Sequence, residues 1–295
     1  MKTLRTVLFL AILMASLGGC DKAPEPVASV RIEPSQVRLP YPGFAQIELE
    51  WEPAAPLDTV SGDLLVFMHL LDAEGNVERT FDHVLPFDWQ VGSGQSYEIT
   101  LFQSALAPPL EIGDYRLSLG LYEAGGQRWA LSGAGEEIAQ LEYHLATVNT
   151  EGDPAAVPMF YFSPSWLPLA AGTDVQILGR RWLTDEGTIR VAEIPTAGTV
   201  WMQLQLSKAM PQVEEISFLE GESEPHVDMT STCGAEQVSI SGYGVHEMQV
   251  RVQATAEGTL PEECEIVLRP NFQIVEVDTL ARRSVGLEIL TWSSD

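Results

Sequence analysis

The chain has 295 residues, of which 45% are hydrophobic, which is enough to build the cores of two domains of ordinary size. Its 16 basic and 42 acidic residues give a net charge of −26. This balance argues against a nucleic-acid partner, because phosphate binding requires clustered lysine and arginine. Anionic lipid headgroups would also repel such a body, so any membrane attachment must have another source.

The N-terminus has the pattern of a secretory signal. Two basic residues precede an apolar run from Thr6 to Leu17, which is too short to span a bilayer permanently. The run ends in the segment Leu17-Gly18-Gly19-Cys20-Asp21. This segment resembles the lipobox of bacterial lipoproteins, in which the cysteine is acylated and becomes the first mature residue. The resemblance implies a signal peptide over residues 1–19 and attachment to a cell membrane through lipid on Cys20.

Asp21 refines the expected location. An aspartate directly after the lipidated cysteine resembles the signal that keeps lipoproteins of enteric-type Gram-negative bacteria from export to the outer membrane. It implies a protein that faces the periplasm from the inner membrane. The alternative is an ordinary cleaved signal that happens to contain a cysteine, which would leave a free thiol in an oxidising compartment.

Cys233 and Cys264 remain once Cys20 is acylated, because the chain has three cysteines. In an oxidising periplasm we expect them to pair as a disulfide. The bridge would close a loop of roughly 30 residues and contribute about 3 kcal/mol on the chain-entropy model. A zinc site is the rival interpretation, but neither cysteine has a partner at zinc-finger spacing. We predict no metal and no cofactor.

Residues 20–29 are predicted to be the lipidated cysteine and a short Pro/Ala tether. From residue 30 the pattern changes to strands of period two, as in Ala45–Trp51. The apolar run Leu64–Leu71 predicts the central strand of a sheet and the first strand of a hairpin. Seven or eight strands at this spacing predict an N-terminal β-sandwich over residues 30–148.

Several strings in this region carry a resemblance at the level of the fold. They are Leu65–Asp72, Asp82-His83-Val84, Trp89, Gly113–Leu117 and Gly120-Leu121-Tyr122. Together they resemble an immunoglobulin-like module of bacterial envelope proteins, including modules attached to sugar-transferring membrane proteins. The resemblance covers about 80 residues and contains no catalytic motif, so it implies a fold and no chemistry.

Turn-forming residues over 149–158 predict a linker, and residues 159–295 are predicted to form a second sandwich. Its opening, made of Met159–Leu169, Leu178–Leu183 and the short strand Gly187–Val191, is similar to that of another β-sandwich module of envelope proteins, which occurs beside sugar-handling machinery. Short strands that alternate apolar and polar residues follow, which indicates antiparallel sheets with solvent-exposed outer faces. The fold class we predict is therefore all-β, with two consecutive sandwiches, immunoglobulin-like or jelly-roll-like, after a lipoprotein signal.

Aromatic and basic residues near the start of the second sandwich are the candidate binding residues. They are Trp166, Trp182, Trp201, Arg180 and Arg181. A tryptophan face with polar neighbours can stack on a sugar ring or on a partner's side chain. The alternative is that these tryptophans are core anchors of the sandwich.

The sequence contains no catalytic motif that we recognise. Ser239–Gly244 lacks the first glycine of G-x-S-x-G, and the five histidines include no HExxH pair. We therefore predict no catalytic residue and a non-catalytic protein that binds or assembles with an envelope protein. The alternative is a module that binds envelope polysaccharide, and a hydrolase acting on glycans ranks third.

Overall fold

The computed structural model describes residues 24–57, 63–123, 125–150, 157–171, 179–210, 213–233, 238–254 and 257–294. Within these ranges every regular element is a β-strand, twenty-five in all. The strands build two successive sandwiches, which confirms the predicted all-β fold class. No helix in the described part of the chain is long and apolar enough to cross a membrane. The lipobox, with Cys20 and Asp21, lies outside the described residues.

Twelve strands form the N-terminal sandwich. They are β1 (Ala28–Glu33), β2 (Gln36–Arg38), β3 (Gly43–Pro53), β4 (Leu64–Leu71), β5 (Val77–Thr80), β6 (His83–Val84), β7 (Gln95–Gln103), β8 (Asp114–Glu123), β9 (Arg128–Trp129), β10 (Leu131–Ser132), β11 (Glu137–Ala139) and β12 (Glu142–Asn149). One sheet has the order β10-β1-β3-β7. The other has the order β11-β12-β8-β4-β5, and β2, β6 and β9 pair with β12, β4 and β8.

The alternation of apolar and polar residues explains which side of each strand is buried. In β3, Ile47, Leu49 and Trp51 are buried while Glu48 and Glu50 between them are exposed. Strand β4 is apolar on both faces, and it pairs with β8 on one side and with β5 and β6 on the other. The predicted central position of this strand is confirmed.

Two details mark the ends of this sandwich. The hydroxyl of Tyr115, near the start of β8, donates to the Glu111 carbonyl at 3.1 Å, as in the tyrosine corner of immunoglobulin-like domains. At the N-terminal end, the tether predicted through residue 29 is too long. Ala28 is fully buried and lies in β1, because it shares the inward face of that strand with Val30. Residues Asn149 and Thr150, predicted as linker, also belong to the sandwich.

Thirteen strands form the C-terminal sandwich. They are β13 (Met159–Phe162), β14 (Ala170–Ala171), β15 (Gly179–Trp182), β16 (Gly187–Ala192), β17 (Gly198–Leu206), β18 (Glu214–Phe218), β19 (His226–Ser231), β20 (Val238–Ser241), β21 (Gly244–Val252), β22 (Glu263–Pro270), β23 (Phe272–Glu276), β24 (Arg282–Arg283) and β25 (Val285–Ser294). The sheet orders are β13-β16-β22-β19-β20 and β14-β15-β25-β17-β21, with a smaller sheet β18-β23-β24. Most of the inward side chains are aliphatic and fully buried.

The disulfide between Cys233 and Cys264 is present, as predicted, with the two Cα atoms 5.2 Å apart. Cys264 lies inside β22 and is fully buried, and Cys233 follows the end of β19. Strand β19 pairs with β22, and the pairing is continued by a bond from the Thr232 N–H to the Glu265 carbonyl at 3.0 Å. The next residue, Cys233, therefore falls beside Cys264, and the bridge fastens neighbouring strands.

The two sandwiches share an apolar contact. The rings of Phe44 and Phe102, paired across β3 and β7, lie 5.8 and 5.9 Å from the ring of Trp201 on β17. Just after β7, the Ala105 N–H donates to the carbonyl of Leu290 on β25 at 2.7 Å. The sandwiches are thus joined by packing and by backbone hydrogen bonding.

Candidate functional site

Two of the three predicted binding tryptophans are buried. Trp166 is 4% exposed and packs in the core of the C-terminal sandwich, where its ring meets Phe162 edge to face at 5.8 Å. Trp201 is 3% exposed and lies in the contact between the sandwiches. The predicted aromatic face is therefore not formed: Trp166 is a core residue of its sandwich, as in the alternative, whereas Trp201 is buried against the other sandwich.

Trp182 is half-buried and is held by two arginines. The guanidinium carbon of Arg180 lies 5.3 Å from the centre of its ring, and that of Arg283 lies 4.6 Å from it. Arg180 forms an ion pair with the buried carboxylate of Glu288, and Arg283 donates to the buried carboxylate of Glu214 at 2.7 Å. These arginines neutralise buried acids of their own sandwich, so the cluster is built as a structural support.

Arg181 points away from this cluster, because neighbouring side chains on a strand face opposite sides. Its guanidinium carbon lies 4.4 Å from the centre of the Phe162 ring, and its Nη1 donates to the Leu167 carbonyl at 3.1 Å. The predicted pair Arg180 and Arg181 is thus divided between two faces. The structure does not bring the five predicted binding residues together.

A polar cluster on the outer face of the second N-terminal sheet was not predicted from the sequence. Glu142 accepts hydrogen bonds from Ser118 at 2.5 Å and from Nδ1 of His69 at 3.1 Å, and the His69 ring stacks on Phe67 with centroids 5.0 Å apart. These bonds lower the pKa of Glu142, and the bond from His69 has the largest effect. Burial acts in the opposite direction and raises this pKa. Asp82 lies 3.9 Å from the other nitrogen of His69.

This cluster lacks the geometry of an activated nucleophile. Ser118 is fully buried, and its hydroxyl is bonded to a carboxylate and not to the imidazole. A serine nucleophile needs a base in hydrogen-bond reach and access to its substrate. We also find no group of three or more metal-ligating side chains within the described ranges.

A cleft of about 730 Å³ opens at one end of the N-terminal sandwich. We name it the Trp89 cleft, and its lining includes Asp63, Leu64, Val84, Phe87, Asp88 and Trp89. It combines two aromatic rings and aliphatic side chains with two carboxylates. Ligand sites also combine apolar and aromatic side chains with polar groups that orient the ligand.

Hydrogen bonds and ring contacts hold the aromatic wall of the cleft in place. The indole N–H of Trp89 donates to the Ala55 carbonyl at 3.0 Å, and the ring of Phe87 lies 6.1 Å from that of Tyr97. Behind them, Nδ1 of His83 donates to the Phe81 carbonyl at 2.8 Å, so its Nε2 accepts from the Tyr97 hydroxyl at 2.8 Å. The wall is therefore organised before any ligand arrives.

Burial tunes the two titratable groups behind this wall. Burial lowers the pKa of His83, and this effect is larger than the opposing effects of the hydrogen bond to the Phe81 carbonyl and of the Asp82 charge. Burial raises the pKa of Tyr97. Both groups are therefore neutral at pH 7. The signal for this site was present in the sequence as the string Pro86-Phe87-Asp88-Trp89, which places two aromatic residues in a connection between strands.

Comparison with known proteins gives little. No protein-family model and no curated protein matches the chain. Among solved structures, the chain is similar to a Bacteroides uniformis β-glucuronidase 2 covalently bound to cyclophellitol-6-carboxylate aziridine, at 9% identity and a TM-score of 0.26. It is also similar to a second structure of a Bacteroides uniformis β-glucuronidase, at 10% identity and a TM-score of 0.27. Each match covers 90% of this chain, which spans 30% of the length of either enzyme.

Proposed function

We propose that the chain is a lipid-anchored protein of the bacterial cell envelope that binds another envelope protein and catalyses no reaction itself. The anchor is the acylated Cys20 of the lipobox, and Asp21 directs the protein to the periplasmic face of the inner membrane. Loss of Lys2 and Arg5 with the signal would change the net charge from −26 to −28, so the lipid and not electrostatics would hold the body at the membrane.

The observation that carries the binding proposal is the open edge of strand β21. Over its nine residues β21 pairs with β17, and on its other side it has no partner among the described strands. An edge strand offers a row of backbone donors and acceptors to which an extended segment of another protein can add as a further strand. The other nine-residue edge strand, β7, ends against the C-terminal sandwich at Phe102.

The side chains of β21 suit such an addition. Val245, Glu247 and Gln249 are exposed and alternate with residues that face the core. Val245 is 50% exposed and Tyr243, just before the strand, is 40% exposed, which gives the edge an apolar start. Backbone pairing supplies affinity in this mode, and the exposed alternate side chains supply specificity.

The anchor is tested by fractionation of the protein from its native host. We expect an acylated mass and recovery with the inner membrane, and loss of both in Cys20→Ser. A wild-type protein that is soluble and unacylated would contradict the anchor.

The edge is tested by a photo-reactive amino acid placed in living cells at Glu247 or at Gln249. Glu265 is the matched control, because it is exposed on β22, which is paired on both sides. We expect crosslinks from positions 247 and 249 that map to residues two apart in one segment of one protein, because strands in register advance together. Equal labelling from Glu265, or no product from either edge position, would contradict strand addition.

A further inference from the structure

We propose that the Trp89 cleft binds an uncharged carbohydrate chain. The proposal is independent of the edge strand, because the cleft belongs to the N-terminal sandwich and β21 to the C-terminal one. It assigns to the protein a ligand site that lies away from all five of the residues predicted from the sequence.

The aromatic wall is the first reason. Trp89 and Phe87 line the cleft while remaining half-buried, so each ring is fixed on one side and reachable on the other. Flat apolar rings pack against the C–H faces of sugar rings, and fixed rings lose little conformational entropy when they do so. The bond from Trp89 to Ala55 provides this rigidity.

The polar groups of the cleft point to hydroxyl donors. Asp63 and Asp88 line it and are exposed, and ionised carboxylates act as acceptors of hydrogen bonds. Sugar hydroxyls can donate to both oxygens of such a group. Bonds to a charged acceptor contribute more than bonds between neutral groups, so the two aspartates would help to orient a sugar ring in the cleft.

Charge excludes the other large class of envelope sugars. No lysine or arginine occurs among the described residues that line the cleft, and the whole chain carries −26. A uronic acid or a phosphorylated sugar would meet two exposed carboxylates and no basic side chain among these described lining residues, which disfavours its binding. The cleft volume of about 730 Å³ falls within the range of about 300–1,000 Å³ that is usual for small-ligand sites.

The test is a glycan array that carries neutral, cationic and anionic oligosaccharides, probed with the full chain purified without its signal. We expect binding to neutral members and none to anionic ones. Failure to bind any neutral member, or preference for cationic members, for anionic members or for basic peptides spotted beside them, would overturn the proposal. Affinity for the best neutral oligosaccharide is then measured by calorimetry.

Two variants locate the site. Trp89→Ala should weaken binding by at least about tenfold, because a central aromatic residue dominates such contacts. This change also removes the hydrogen bond from Trp89 to the Ala55 carbonyl, so a second variant, Asp88→Asn, is needed. Asp88→Asn should weaken binding several-fold without altering the unfolding midpoint. Asp185→Asn removes an equal charge from an exposed site in the other sandwich and should bind as the wild type does. Equal affinity in wild type, Trp89→Ala and Asp88→Asn would remove the cleft from consideration even where a glycan binds.

Discussion

The backbone N–H of Ala105 donates to the carbonyl of Leu290, 2.7 Å away, and so ties the N-terminal sandwich to the last strand of the chain. The link is reinforced from the other direction, since the Leu290 N–H donates to the Ser104 hydroxyl at 3.1 Å. Leu106, the next residue of the N-terminal segment, packs in the core of the C-terminal sandwich. We therefore expect the two sandwiches to stabilise each other.

Trp201→Ala should destabilise both sandwiches together. The side chain is almost fully buried between Phe44 and Phe102, and removal of a buried tryptophan costs about 3–5 kcal/mol. Urea unfolding followed by fluorescence and by circular dichroism measures this loss. Tyr161→Ala, at a residue that is 41% exposed, is the control and should cost less than about 1 kcal/mol. A loss in Trp201→Ala as small as that of the control would show that the contact does not stabilise the fold.

The position of Trp201 shows which kind of burial a sequence pattern can predict. Alternation correctly places Val200, Met202 and Leu204 toward the sandwich core, which puts Trp201 on the outer face of β17. The outer face of an isolated sandwich is exposed to solvent, and a tryptophan on it would be a candidate binding residue. Here the N-terminal sandwich covers that face. Packing between bodies distant in sequence leaves no periodic signal, so burial of Trp201 by the other sandwich, and not by its own core, was not predictable.

Strand positions and the disulfide were easier to predict, because both follow from short-range patterns. The apolar run of β4 indicates burial on both faces, and the two cysteines other than Cys20 have each other as natural partners. The Trp89 cleft was missed for the opposite reason. Phe87 and Trp89 lie in a connection without period, and their meeting with Asp63 depends on how two loops approach each other.

Loss of the disulfide should lower the free energy of unfolding by about 3–4 kcal/mol, because Cys233 and Cys264 are 31 residues apart in sequence and the bridge restricts the unfolded chain. The measurement is urea unfolding of the wild type with and without a reductant. The double variant Cys233→Ser and Cys264→Ser is the control, and its stability should not respond to the reductant. A wild type that is insensitive to reduction would contradict a stabilising bridge.

Arg283→Met should be strongly destabilising, by about 3–5 kcal/mol, because it leaves the Glu214 carboxylate buried without its counter-charge. Arg190→Met is the matched control, since it breaks an ion pair with Glu263 in which both side chains are about half exposed. That change should cost at most about 1 kcal/mol. Adding Glu214→Gln to Arg283→Met should restore part of the loss. If the two single variants unfold at the same urea concentration, the buried pair has no special importance.

The pH dependence of stability should report the half-buried His83. Burial lowers its pKa in the folded protein, so the unfolded chain binds a proton more readily than the folded one. The stability that neutral His83 contributes should therefore be fully present above the pKa of histidine in the unfolded chain, about 6.5. The free energy of unfolding should fall as the pH decreases below that value. Urea unfolding at pH 7.5 and at pH 5.0 measures this change. His83→Gln should cost about 1–3 kcal/mol at pH 7.5, because it disturbs the bonds to Phe81 and Tyr97, and its stability should vary less between the two pH values. A variant with the same pH dependence as the wild type would show that another group controls the acid response.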